Sequence, residues 1–287
     1  MILNSICIHC SESSLIAFAS GGGLQLAIEL LLRPDETTLT MSRYAGALAG
    51  AEFLLRVLDA NIVKLKPQCP PRAALCRTLA LRDAPAKLAA SLEASLDMDT
   101  SIEPRDADAI TRALAALCDA DTVVKESIAA SRTATIVLDI LAEFPQRVRD
   151  AWEQGIDGDA DAKLTVRLLK TLKAISMTSA EALDSLASCG AIETVVAVLE
   201  VAQVGAVRGD GFTKRLVPRR DELEDQLVPI VYYLCRIDRS RLARAARCGA
   251  ATLLAACVAR RRHLKQFALA VLCELCHVAA SDNQGDV

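Results

Sequence analysis

The sequence predicts an all-α fold, a solenoid of stacked short helices, and three observations carry that expectation. Apolar residues recur at three- and four-residue spacing along most of the chain, while no convincing two-residue alternation of a strand occurs. The composition is 52% hydrophobic but only 3% aromatic, and the 9 prolines fall mostly between periodic segments. A helix–turn–helix unit also repeats. Leu242 and Ala246 precede Gly249 at the same offsets as Leu183 and Ala187 precede Gly190, and Leu15 and Ala19 precede Gly22. Downstream, Leu253, Leu254 and Val258 correspond to Thr194, Val195 and Leu199, and to Leu26, Ala27 and Leu31. A weaker copy centres on Ser131, with Val124 and Ile128 behind it and Ile136 and Ile140 ahead. In this pattern Leu and Ala face inward one turn apart, the small Ala admits a neighbouring helix, and Gly reverses the chain where a positive φ is needed.

In chain order, residues 3–20 and 24–32 read as a first helical pair around Gly21-Gly22-Gly23, closed by Pro34. An amphipathic segment follows from Thr40 to Lys64, with Leu48, Phe53, Leu54, Val57 and Leu58 inward. After the break at Pro67–Pro71, helices are expected at about 71–82 and 84–96. Asp97–Asp108 is an acidic surface loop ending in a helix start. Helices then follow at about 105–119, 121–130, 133–143 and 145–154. Asp157–Asp161 reads as a solvated polar joint before a helix over 164–175. Val204–Arg220, with three glycines, is a flexible insertion ahead of a helix over 223–237. The C-terminal stretch divides into helices at 240–247, 250–260 and 263–278. In the last, Leu264, Phe267, Ala268, Val271, Leu272, Leu275 and Val278 form a core stripe. Leu269, Ala270, Cys273 and Cys276 fill most of the rest, so the helix is expected to be covered on several sides. The organisation expected is 1–155 as degenerate repeats, 156–280 as better-defined repeats with the insertion at about 204–220, and 281–287 as a tail.

Charge and cysteine usage narrow the function. The formal net charge is −3, which exerts no general pull towards nucleic acid. Its distribution is uneven: residues 83–161 hold 17 Asp/Glu against 7 Lys/Arg, and residues 205–265 hold 14 Lys/Arg against 6 Asp/Glu. Such asymmetry marks either different partners or different solvated faces. No apolar run approaches the roughly 20 residues that cross a bilayer, and no secretory signal follows Met1, so neither membrane insertion nor export is expected. The 11 cysteines sit in apolar helical patterns, Cys118, Cys235 and Cys257 among them, as small hydrophobes of a reducing cytoplasm do.

Several local patterns resemble chemical sites without completing one. The Gly21–Gly23 run follows a helix and lacks a Lys-Ser/Thr, so it does not cradle phosphate. Asp157, Asp159 and Asp161 open like a calcium loop, but Ala162 stands where Gly is needed and Leu168 where the bidentate acid belongs. Cys7-x-x-Cys10 encloses His9, and Cys273-x-x-Cys276-His277 has the spacing of a haem attachment. The two groups lie at opposite ends of the chain and do not converge as a zinc site requires. The 3 histidines, His9, His263 and His277, sit in no hydrolase or metalloprotease pattern, and no kinase triplet occurs. No catalytic residue, metal or cofactor is expected in this chain.

The basic groups of the C-terminal third are the candidates for binding. Arg244, Arg247, Arg260, Arg261, Arg262 and Lys265 are expected to form a partner-binding surface, with Arg236, Arg239 and Arg241 nearby. An acidic or phosphorylated protein segment suits Arg forks, and nucleic acid does not, since aromatic stacking platforms are absent from the stretch. Charge reversal of Arg260, Arg261 and Arg262 is expected to weaken partner capture without lowering the melting temperature.

Residues 183–199 and 242–258 resemble armadillo repeats, a likeness that implies a right-handed α-solenoid. The run Gln226-Leu227-Val228-Pro229-Ile230 through Leu264-Lys265-Gln266-Phe267-Ala268-Leu269 and Leu272-Cys273-Glu274-Leu275 is more specific. It is similar to the armadillo-like C-terminal region of the septation-initiation-network protein kinases of fungi and their plant relatives, the MAP kinase kinase kinase epsilon group. The chain departs from that pattern at Ala270, where proline is expected, and at Cys276, where a small residue is expected. The resemblance implies a non-catalytic scaffold in cytokinesis signalling, with the kinase domain elsewhere in a parent polypeptide or on a partner. It further implies a kinase or kinase regulator as partner, and a cytoplasmic location at the cytoskeleton or spindle pole. The alternative is an armadillo adaptor in trafficking or cytoskeletal assembly with no kinase link. Terminal repeats normally carry polar caps, and both ends here read as uncapped, so further repeats or a partner are expected to cover them. A Trp-Asn array like that of nuclear-import receptors is excluded, because Trp152 stands alone and only Asn4, Asn61 and Asn283 are present.

Overall fold

A computed structural model describes Ala17 and most of residues 72–282, leaving out 82, 98–103, 120, 205, 208–213, 216 and 237. The expected N-terminal pair, the 40–64 segment, the Cys7–Cys10 group and most of the tail lie outside the described residues. The chain divides into two compact units, Met1–Ile136 and Val137–Val287.

In the first unit, α1 (Arg72–Leu81), α2 (Ala84–Asp97), α3 (Pro104–Cys118) and α4 (Thr122–Ala129) precede α5 (Arg132–Ala142), in which the division falls. Pro104 occupies the first helical position, where its missing N–H costs nothing. Asp83 turns the chain between α1 and α2 at φ 56. Asp121 caps α4: its carboxylate accepts from the Val123 N–H at 2.9 Å and from Arg77 Nε at 2.5 Å, tying α4 to α1. Leu79, Leu92, Ile110, Leu114 and Leu117 are fully buried, as are Cys76 and Cys118. The Ser131 copy of the repeat takes the expected form: Val124, Ile128, Ile136 and Ile140 are all buried.

The second unit contains α6 (Phe144–Glu153), α7 (Asp159–Ile175), α8 (Ala180–Ser188), α9 (Ala191–Val204), α10 (Arg220–Cys235), α11 (Arg239–Arg247) and α12 (Ala250–Arg260). A 3-10 turn at Arg262–Leu264 leads into α13 (Lys265–Asp282). The pairs α8–α9 and α11–α12 are the two clearest repeats, bent by 69° and 84° at their turns. Both reverse at a Cys-Gly dipeptide, with Gly190 at φ 84 and Gly249 at φ 82. Both begin on a side-chain cap placed eleven residues before that glycine. Ser179 Oγ accepts from the Ala182 N–H at 3.4 Å, and Asp238 Oδ1 accepts from the Arg241 N–H at 2.7 Å. Leu183, Ala187 and Leu242 are buried as expected, but Ala246 is exposed and Ala245 takes the inward place. The helix is rotated so that the residue three after Leu242, rather than four, meets the core.

Two predictions test these turns. A Cβ at Gly190 or Gly249 would meet nothing within 4 Å, so the cost of Gly→Ala is backbone strain alone, roughly 1–2 kcal/mol at each site. Equal losses at both positions in urea unfolding are the expected result. Asp238→Ala should cost about 1 kcal/mol through the lost cap. The Ser240 hydroxyl and the Arg241 N–H hold the Asp238 carboxyl below the usual aspartate range. A depressed folded pKa means the cap stabilises above pH ~4 and its contribution fades as pH falls below that. The gap between wild type and Asp238→Ala in thermal melts should therefore close on acidification.

Helix α10 packs against α7, α9, α11 and α13. Its inward residues Leu223, Leu227, Val228 and Ile230 are fully buried. The two hairpins on either side of it in sequence are joined by long-range polar bonds. Gln203 on α9 donates to the Leu253 carbonyl at 3.1 Å and to Cys257 Sγ at 2.8 Å. Arg241, almost fully buried, donates to Asp184 on α8 at 2.7 Å.

Three expectations are corrected here. The insertion contains a short antiparallel pair, β1 (Ala206–Val207) with β2 (Lys214–Arg215), where no strand was anticipated. Helix α10 starts at Arg220, and α7 starts at Asp159 rather than Leu164. Nor is Asp157–Asp161 a simple solvated joint: Arg219 donates to both oxygens of Asp159 at 2.8 and 3.2 Å, and Arg147 Nε lies 3.2 Å from Asp161. Trp152 closes the same corner by donating its indole N–H to the Asp157 carbonyl at 3.2 Å.

Candidate binding surface

The six basic candidates occupy the ends of three consecutive elements. Arg244 and Arg247 lie in the last turn of α11, Arg260 ends α12, and Arg261, Arg262 and Lys265 run through the turn into α13. Cations at helix C-termini complement the macrodipole, but the structure gives half of these residues a more specific role. Arg244 forks onto Glu193 of α9 at 2.9 and 2.8 Å. Arg260 donates to Glu224 Oε1 at 2.6 Å, and Arg220 reaches the same oxygen at 3.3 Å. Arg261 donates to Asp225 at 2.6 Å and also pairs with Asp221, while His263 lies 2.7 Å from Asp225. These contacts pin the α12–α13 turn to the acidic first turns of α10.

The remaining three, Arg247, Arg262 and Lys265, are exposed and have no carboxylate partner among the described residues. The structure thus separates the predicted patch into cations that hold the fold and cations that face solvent. Charge reversal of Arg260 and Arg261 is now expected to lower the melting temperature, contrary to the reading of the sequence. The reason is that their acidic partners lie some 36 residues away, beyond any local pattern. Arg236 is different again, stacked over Tyr233 at 5.4 Å. Beside it Tyr232, Tyr233 and Phe267 form an edge-to-face cluster that fastens α13 to α10.

Helix α13 departs most from expectation. Leu264, Ala268, Val271 and Leu275 are buried, and Phe267 and Leu272 are half-buried. Leu269, however, is 45% exposed, and Cys273 and Cys276 are also exposed. Over residues 265–277 the helix is covered on one face, not on several. The spacing held the signal: Arg262, Lys265, Leu269, Cys273 and Cys276 fall at three- and four-residue intervals, so the apolar positions share a face with two cations.

Elsewhere among the described residues Cys76, Cys118, Cys235 and Cys257 are buried as small hydrophobes, whereas Cys189 is exposed and Cys248 half-buried. Burial pushes the thiols of Cys118 and Cys235 up to about 12 and that of Cys257 to about 11, which keeps them protonated and poor nucleophiles. Among the described residues, no three His, Cys, Asp or Glu side chains are placed to hold a metal ion, and no single helix is long and apolar enough to cross a membrane.

The described residues of the chain are therefore helical apart from one short β-pair, and their clearest units are helix pairs joined at Cys-Gly turns. Comparison with known proteins found relatives along most of the chain. It is 27% identical to cytokinesis protein sepH of Aspergillus terreus over 267 residues, which is 93% of this chain and 17% of that protein. The same protein from Aspergillus niger is 27% identical and that from Emericella nidulans 26%, with the same coverage. The chain thus spans about a sixth of the length of these relatives. No protein-family model matches it. Among solved structures, an engineered protein determined by a structural genomics consortium is similar in fold, with a TM-score of 0.57 and 12% identity over 96% of this chain and 88% of that one.

Proposed function

We propose that this chain is the non-catalytic interaction region of a cytokinesis and septation protein kinase or of its partner, built as an armadillo-like right-handed α-solenoid. The observation that carries the reading is similarity to cytokinesis protein sepH along nearly the whole chain, against a small share of the relatives. The helix pairs at Gly190 and Gly249 support the armadillo part, because each buries its apolar face against neighbouring helices and leaves its turn at the surface. The chain works by holding a protein partner, a kinase or a kinase regulator, rather than by chemistry, nucleic-acid binding or membrane insertion. Its place is the cytoplasm, at the cytoskeleton or spindle pole. Arg247, Arg262 and Lys265 are the members of the predicted basic surface that face the partner.

Affinity capture from dividing cells, with identification of bound proteins, tests this proposal. Recovery of a protein kinase or a kinase regulator, dependent on the folded chain, is the expected result. Recovery only of trafficking or cytoskeletal proteins would replace the kinase link with the adaptor alternative.

A further inference from the structure

Five large hydrophobic residues are exposed among the described residues: Leu81, Val123, Ile156, Met177 and Leu269. Four stand at a helix end or in a turn. Leu81 ends α1, Val123 is the second residue of α4, Ile156 follows α6 and Met177 follows α7. Isolated residues of this kind need no partner. Leu269 alone lies within a helix and within a row. One turn before it is Lys265, with Arg262 ahead of that in the 3-10 turn; one and two turns after it come Cys273 and Cys276, with half-exposed Leu272 beside them. The row lies on the solvent side of the helix, away from the buried stripe of Leu264, Ala268, Val271 and Leu275, and exposed Gln266 and His277 border it. Glu274 falls off it, towards Phe267 and Ala270.

The row is therefore polar and positive at one end and apolar along the rest. Its positive end meets no carboxylate among the described residues. The nearby carboxylates Asp221, Glu224 and Asp225 are engaged by Arg220, Arg260, Arg261 and His263. Arg262 and Lys265 have no carboxylate partner among the described residues, and they sit where the N-terminus of α13 adds its own positive potential. A free helix face with this layout accepts another helix whose apolar side covers Leu269, Leu272, Cys273 and Cys276 and whose acidic residues reach Arg262 and Lys265. Complementary charge fixes the register of such a contact, while the apolar row supplies its area.

We propose that the outer face of α13, from Arg262 to Cys276, is a docking site for an amphipathic helix of a partner protein that carries acidic residues at one end. The proposal rests on the interaction-scaffold reading above and adds where the partner sits and what its segment looks like. Arg247, on α11, is outside this row and is not required by it.

Two synthetic amphipathic helices of roughly five turns test the site against the purified chain, measured by fluorescence anisotropy. Both carry the same leucine face; one has three glutamates at one end and the other three lysines. The glutamate peptide is expected to bind about tenfold more tightly, the size two exposed ion pairs supply. Arg262→Glu with Lys265→Glu should erase that preference. Leu269→Asp should weaken the glutamate peptide about tenfold or more, from the lost apolar contact, and Glu274→Ala should leave it unchanged. Leu269 is exposed, so Leu269→Asp is expected to keep the circular dichroism spectrum and melting temperature; Leu269→Ser provides a second, milder variant. Equal binding of the two peptides, binding of neither, or full binding to Leu269→Asp and Leu269→Ser would overturn the proposal. So would sedimentation showing that Leu269→Asp splits a dimer, because the face would then belong to a second copy. Kinase recovery from cells that persists in these variants would leave the scaffold reading standing while removing this site.

Discussion

Replacing Arg220 and Arg260 together by methionine should cost about 3–5 kcal/mol, the loss expected when a buried ion pair loses its cation. Glu224 is fully buried on α10. One of its oxygens accepts from Arg260 at 2.6 Å and from Arg220 at 3.3 Å; the other, Oε2, has no hydrogen-bond partner among the described residues. With both guanidinium groups gone, the carboxylate would remain in the interior with nothing to answer its charge. The reverse experiment is not equivalent. Glu224→Leu removes the buried charge and leaves two arginines that are 21% and 39% exposed and can turn to water. Its expected effect is near neutral. In a domain the size of the second unit, the double arginine variant should melt on the order of 10 °C lower. Equal losses in the two experiments would show that Glu224 is held by something other than these cations.

The second large effect is expected at Leu227. This residue is fully buried in α10, the helix that packs on α7, α9, α11 and α13. Leu227→Ala should lose about 2–5 kcal/mol, combining the transfer of the removed methyl groups with the cavity left among helices that cannot all collapse inward. Leu269→Ala, by contrast, should change stability by less than about 0.5 kcal/mol, since Leu269 is partly hydrated already. Urea unfolding of the pair checks both the magnitude and the contrast. A loss at Leu269 equal to that at Leu227 would mean that α13 is covered on its outer face within the chain itself.

The helices were legible because their signals are local. Apolar residues every three or four positions, glycine at a reversal and Ser or Asp at a start are all written within a dozen residues. Helix α12 accordingly begins and ends at the residues the sequence indicates, Ala250 and Arg260. The repeat was legible too, since Gly190 and Gly249 both adopt the left-handed turn their position requires. Rotation about a helix axis was less so. Ala246 and Ala245 fit the periodic pattern almost equally well, and only packing brings Ala245 inside.

The candidate surface was legible in composition and not in pairing. A run such as Arg260-Arg261-Arg262 looks uniform, yet its members differ completely in the fold: the first two meet carboxylates on α10, while the third faces water. Which arginine meets which acid depends on elements tens of residues apart, as do Arg241 with Asp184 and Arg219 with Asp159. The exposed row on α13 was hidden by a different cause. Leucine and cysteine suggest burial whenever burial is available, and a sequence does not show how many sides of a helix have a neighbour.

The central proposal, that this chain serves cytokinesis by holding a protein partner, is tested most directly by exchange. In cytokinesis protein sepH of Emericella nidulans, the segment similar to this chain would be replaced by it, and septa counted against a strain lacking the segment. The account predicts septation near that of the parent strain, reduced by the stability variant Leu227→Ala in proportion to the folded protein remaining. Septation no better than in the deletion strain, with the exchanged protein present at normal level, would contradict it.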